Sequence, residues 1–112
     1  MKPKVGIISA GALGTALAQS ISKNNDNILL WGRNPELINE INKEHTNSKY
    51  YPNFQLNENI IGIDDLEKLH DCNVIILAIP SSVIREMMEK LAKIISPDCA
   101  IITTIKGIEF QP

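Results

Sequence analysis

Short aliphatic runs alternate along this chain with stretches in which apolar residues return every three or four positions, the pattern of strands followed by crossover helices. Lys4 to Ile8 reads as a first strand. Leu13, Leu17 and Ile21 then recur at helical spacing, which predicts a helix with these three residues on its apolar face. Asn24 to Asn27 ends that helix, and Asn27 to Trp31 forms a second strand. Asn34-Pro35-Glu36 marks the next helix start, with a cap acceptor, a proline where no N–H is needed, and an acid at the positive end of the helix dipole. Leu37, Ile38 and Ile41 follow on it. From Glu44 to Glu58 the chain is polar, carries Pro52, and has neither helical nor strand period, which predicts a loop; its length hints at function. Ile60 to Ile63 is a third strand, Asp64 to Leu69 a short helix, and Val74 to Ala78 a fourth strand stopped by Pro80. Ser81 is placed to cap a helix with Val83, Met87, Leu91 and Ile94 on its buried face, closed before Pro97, and Ala100 to Thr104 is a fifth strand. The fourth and fifth strands are apolar without alternation, as expected where helices cover both faces of a sheet. The predicted class is α/β, a doubly wound parallel sheet in three α/β/α layers.

Composition narrows the picture. A chain of 112 residues, 44% apolar, with one tryptophan, two tyrosines and two phenylalanines, suits one domain over 1–112 with a modest aliphatic core. The net charge of −2 argues against binding driven by a basic surface, so no nucleic-acid partner is expected, and the run from Val74 to Ile79 is far too short for membrane insertion. Cys72 and Cys99 lie far apart without a CxxC or a His/Cys cluster, which leaves two reduced thiols and no metal site. An apolar stretch from Val5 to Ala18 behind Lys2 and Lys4 imitates a leader peptide, but Gly6, Gly11 and Gly14 interrupt it. A cytoplasmic protein is the expectation.

The glycines have a better explanation. Ser9-Ala10-Gly11-Ala12-Leu13-Gly14 stands between a predicted strand and a predicted helix, the context that the dinucleotide fingerprint G-x-G-x-x-G requires. Gly11 would let backbone approach a pyrophosphate, Gly14 would let the helix pack closely on the sheet, and free amides at the helix start would hold the anion. The first glycine of the fingerprint is Ser9, so the turn forms with a side chain present, at a cost in strain or a tilt of the loop. At the end of the second strand, where selectivity for NAD calls for an acid roughly 20 residues after the glycines, the chain reads Trp31-Gly32-Arg33-Asn34. An arginine there can meet a 2′-phosphate or stack on adenine, so NADP should be at least tolerated. Lys106 follows the fifth strand, at the sheet end where ligands bind in open parallel sheets. His45 and His70 stand alone in polar segments and are expected at the surface.

Taken together, the segments 9–18 (Ser-Ala-Gly-Ala-Leu-Gly-Thr-Ala-Leu-Ala), 30–34 (Leu-Trp-Gly-Arg-Asn), 41–52 with its His-x-Asn-x-x-Tyr-x-Pro pattern, 78–81 (Ala-Ile-Pro-Ser) and 106–109 (Lys-Gly-Ile-Glu) stand in a telling order and spacing. That arrangement resembles bacterial-type NAD(P)-dependent glycerol-3-phosphate dehydrogenase, and the resemblance covers the whole chain. It implies a Rossmann-like fold, NADP or NAD as cofactor, and reversible hydride transfer between sn-glycerol 3-phosphate and dihydroxyacetone phosphate, feeding glycerophospholipid synthesis. By position it puts Ala12 and Leu13 against the cofactor pyrophosphate, Arg33 at the adenosine end, and Lys106 near both nicotinamide and substrate. Leu13 stands where the family often has a bulkier residue such as Trp, and Ser9 where it has Gly. The family continues into a helical domain that carries the general acid/base and most of the substrate site, so no catalytic residue is expected in this chain, the chain alone should be inactive, and a homodimer would form through that domain. A second reading, from a different class, is a stand-alone or decayed dinucleotide-binding module without catalysis.

Overall fold

The computed structural model describes residues 2–104. Five four-residue strands, β1 (Val5–Ile8), β2 (Ile28–Trp31), β3 (Ile60–Ile63), β4 (Val74–Leu77) and β5 (Ala100–Thr103), form one sheet in the order β3-β2-β1-β4-β5. Every neighbouring pair is parallel, with Val5 opposite Ile28 and Val74, and Ile28 opposite Ile60. The chain therefore winds outward from β1 to β3, then crosses back to β4 on the other side of β1. That reversal opens a crevice beyond the carboxyl ends of β1 and β4, where a parallel sheet binds ligands.

Side chains alternate along each strand and build two cores, one on each face. On one face Val5, Ile7, Ile28, Leu30 and Ile60 pack with Ala18 of α1 (Ala12–Ser22) and with Ile38 and Ile41 of α2 (Pro35–Glu44). On the other, Ile8, Trp31, Ile75 and Leu77 pack with Leu69 of a 3-10 turn (Leu66–Leu69) and with Met87 and Leu91 of α3 (Ile84–Leu91). This is the doubly wound, three-layer α/β/α sheet that the sequence predicts. No helix among the described residues is long and apolar enough to cross a membrane.

Three expectations about helix faces, capping and strand cover need correction. The buried side of α1 is Gly14, Thr15, Ala18 and Ser22; Leu17 and Ile21 are half-buried at its edge, and Leu13 is exposed. Small residues win that face because they let the helix come closer to the sheet than leucine would, and close packing recovers dispersion contacts. Ser81 caps nothing: a 3-10 turn (Ser81–Val83) follows Pro80, α3 starts only at Ile84, and Ile94 sits half-buried in the turns after Leu91. Finally, β5 is an edge strand with little cover. Ile102 is exposed and Ile101 half-buried, because the described residues bring no helix over its outer face.

Capping at α2 follows expectation. The Asn34 carboxamide oxygen accepts from the Glu36 and Leu37 amides at 2.9 and 3.4 Å. Its far end closes on His45, which takes the left-handed conformation (φ 57°) and is half-buried rather than at the surface. Cys72 is buried and Cys99 half-buried, both against the α3-side core.

Candidate functional site

The β1-to-α1 turn begins as Ile8 leaves the sheet. Gly11 precedes α1 with extended backbone (φ −85°, ψ −163°), and no side chain caps the helix or places an acid in its first turn. The contrast with α2, which has both Asn34 and Glu36, is informative. The first amides of a helix lack intrahelical acceptors and carry the positive end of the dipole, so an uncapped start facing a crevice suits an anion.

The two glycines do different work. A Cβ built on Gly11 would meet nothing nearer than the Ser9 hydroxyl at 3.9 Å, so the space beside it is open. A Cβ on Gly14 would collide with the Ser9 carbonyl oxygen and touch Ile7 at 3.5 Å. Gly11 thus leaves room on the crevice side, while Gly14 lets α1 pack against β1. His45 is the only residue with left-handed backbone among those described, so Ser9 does not take that conformation.

Around this turn lies a cleft of about 340 Å³. Its floor is Ser9 to Gly11, one wall is Trp31 to Asn34 at the end of β2, and the other is Ile79 and Pro80 after β4 with Met87 of α3. Gly32 sits under the first wall, where a Cβ would come within 3.0 Å of Ala10, so its lack of a side chain lets the two strand ends approach. Trp31 is buried to 8% exposure, and its indole N–H has no partner. The lining includes the cations Arg33, Lys49 and Lys90 against a single carboxylate, Glu86, whose oxygen is 3.8 Å from the Lys90 ammonium. A cation-rich cleft in a chain of net charge −2 points to an anionic ligand.

Of the residues singled out from the sequence, Gly11 and Arg33 line the cleft. Gly14 lies behind it as a packing residue, and Ala12 and Leu13 are exposed on the first turn of α1, beside the cleft rather than in its wall. Lys106 lies outside the described residues. No group of three or more His, Cys, Asp or Glu that could hold a metal ion occurs among the described residues.

Sequence reasoning left the 44–58 loop without a role, and the structure assigns it two. Lys49 and Tyr50 form part of the cleft wall. Asn47, fully buried, donates to the Ala10 carbonyl at 3.2 Å and to the Thr15 hydroxyl at 2.9 Å, and the Tyr51 hydroxyl donates to the Ala12 carbonyl at 2.8 Å. Glu40 of α2 anchors the same loop, accepting from the Thr46 hydroxyl at 2.6 Å and from the Ser48 amide at 2.8 Å. The Thr46 hydrogen bond chiefly holds the Glu40 carboxyl below its ordinary range. The available signal was the loop's length and its His-x-Asn-x-x-Tyr-x-Pro pattern, which names Asn47 without a partner; periodicity cannot show which strand turn such a loop folds onto.

Comparison with known proteins agrees with this geometry. Residues 4–111 match the family model for the NAD-dependent glycerol-3-phosphate dehydrogenase N-terminus. Glycerol-3-phosphate dehydrogenase (NAD(P)+) of Carboxydothermus hydrogenoformans is 36% identical over 107 residues, covering 95% of this chain and 32% of its own length. The Streptococcus equi subsp. zooepidemicus protein of the same name is 39% identical over 109 residues, covering 96% and 32%. The chain thus spans about a third of the length of these curated relatives. Among solved structures, glycerol-3-phosphate dehydrogenase of Saccharomyces cerevisiae superposes with a TM-score of 0.84 at 25% identity, over 93% of this chain and 34% of that one. The Coxiella burnetii enzyme gives 0.82 at 26%, over 91% and 32%. A family match over nearly every residue, on a sheet whose crevice has an uncapped helix start and an open glycine turn, establishes that this chain belongs to the NAD-dependent glycerol-3-phosphate dehydrogenase N-terminal family.

Proposed function

We propose that the chain is one dinucleotide-binding unit, and that its cleft holds NADP or NAD for an enzyme that interconverts dihydroxyacetone phosphate and sn-glycerol 3-phosphate in glycerophospholipid synthesis. The observation that carries this is the uncapped start of α1 beside Gly11, where the open space lets an anionic ligand reach backbone amides. Gly11 and the first-turn amides of Ala12 and Leu13 would receive the pyrophosphate. Arg33 at the end of β2 would meet the adenosine end, where its guanidinium suits a 2′-phosphate. By resemblance, Lys106 would stand near nicotinamide and substrate. The bound dinucleotide supplies or takes the hydride; this chain binds it, orients it and leaves its reactive end at the crevice.

The wider reading includes cytoplasmic residence, no nucleic-acid partner, no insertion in a membrane, and pairing of full-length copies through the two thirds of the relatives that this chain does not match. Titration of the purified protein with NADPH and with NADH, followed through its single tryptophan, tests the core of it. Trp31 lines the cleft, so saturable quenching with energy transfer to the nicotinamide is expected. No binding of either dinucleotide overturns the reading. A parallel assay with dihydroxyacetone phosphate and NADPH should stay at the protein-free blank, and turnover above it would refute the assignment of the acid/base to the unmatched two thirds.

A further inference from the structure

We propose that Asn47 is a positioning residue for the cofactor site: its buried carboxamide, assisted by the Tyr51 hydroxyl, holds the glycine turn so that the free amides at the start of α1 face the cleft. This rests on the dinucleotide reading of the cleft given above.

β1 ends at Ile8, so the sheet ladder does not extend to Ala10 and Gly11. Contacts from the 44–58 loop bracket that gap. Asn47 reaches the Ala10 carbonyl just before Gly11, Tyr51 reaches the Ala12 carbonyl just after it, and the second Asn47 contact is to Thr15, one turn further along α1 and itself fully buried. The backbones of the two residues are tied together: the Asn47 carbonyl accepts from the Tyr50 and Tyr51 amides at 3.2 and 2.8 Å, which turns the loop back on itself. Glu40 grips Thr46 and Ser48, the residues on either side of Asn47, and so ties the arrangement to α2.

The choice of residue is telling. An apolar side chain would fill this buried position without desolvating an amide. Asn47 instead has its Nδ2 donating to two acceptors of the turn region, while its own Oδ1 is buried with no partner. An amide held in that state favours one geometry of the turn, since any drift of Ala10 or Thr15 would leave the buried donors unmatched as well. The same loop brings Lys49 and Tyr50 into the cleft wall, so positioning of the floor and supply of the wall come from one segment.

The test compares NADPH, which has a pyrophosphate, with adenosine 2′-phosphate, which does not, by calorimetry and NMR titration on the purified protein. For Asn47→Ala, affinity for NADPH should fall about tenfold, the scale of a lost buried hydrogen bond, while affinity for adenosine 2′-phosphate stays within about twofold. Tyr51→Phe, which removes one oxygen, should show the same split at about threefold on NADPH, and it carries the test if Asn47→Ala does not fold. Equal losses for both ligands would mean general loosening and overturn the proposal, as would a folded variant with unchanged NADPH affinity. A wild-type protein that binds neither ligand refutes the dinucleotide reading itself, and this role with it.

Discussion

Replacing Gly11 by alanine separates binding from folding. The backbone there is extended, a conformation open to any residue, and the nearest atom to an added Cβ is the Ser9 hydroxyl oxygen at 3.9 Å, ordinary van der Waals contact. The folded state should therefore accept the methyl without strain. The unfolded chain loses freedom when glycine becomes alanine, a gain of about 0.4–1 kcal/mol where the native conformation is compatible. The melting temperature should hold or rise slightly. Affinity should move the other way, because the methyl occupies the space through which an anion would approach the amides of α1. An overlap that pushes the pyrophosphate out of hydrogen-bond reach forfeits charge-assisted bonds worth about 1.5–3 kcal/mol, or roughly tenfold to a hundredfold in Kd. Differential scanning fluorimetry reads the first quantity and tryptophan-quenching titration with NADPH the second. A stable Gly11→Ala protein with wild-type affinity would refute the claim that this backbone faces the cofactor.

Gly14→Ala should show the opposite signature, a loss of about 1–3 kcal/mol in stability from overpacking, because its methyl runs into the Ser9 carbonyl oxygen and not into the cleft; chemical denaturation measures it. Arg33→Ala should weaken NADPH about tenfold and NADH far less, since only the former offers a 2′-phosphate to the guanidinium; equal losses in calorimetry would point to adenine stacking instead. Burial pushes the Cys72 thiol up to about 11, so the folded protein keeps a proton that the unfolded chain releases near its ordinary 9.0. That contribution is complete below pH 9 and lost as pH rises towards 11, worth about 2 kcal/mol over the interval. Urea titrations should accordingly show a smaller stability loss over this interval in Cys72→Ala than in wild type.

The parts of this molecule legible in its sequence are those specified by neighbours along the chain. The strand runs, the Asn34-Pro35 helix start and the glycine turn between strand and helix all depend on residues within one or two turns of each other, where period and capping chemistry act directly. Gly11 and Arg33 could be placed at a strand end for the same reason. Other features depended on what packs across the sheet. The face α1 buries is set by distance to the strands, which favours Gly14, Thr15 and Ala18 over the leucines whose spacing alone suggests the core. The exposure of β5 depends on the absence, among the described residues, of a covering helix, which an aliphatic run cannot reveal. Asn47 is the plainest case. Its partners lie 37 and 32 residues away, and only the closed fold brings a polar residue from a loop without helical or strand period beneath the turn it holds.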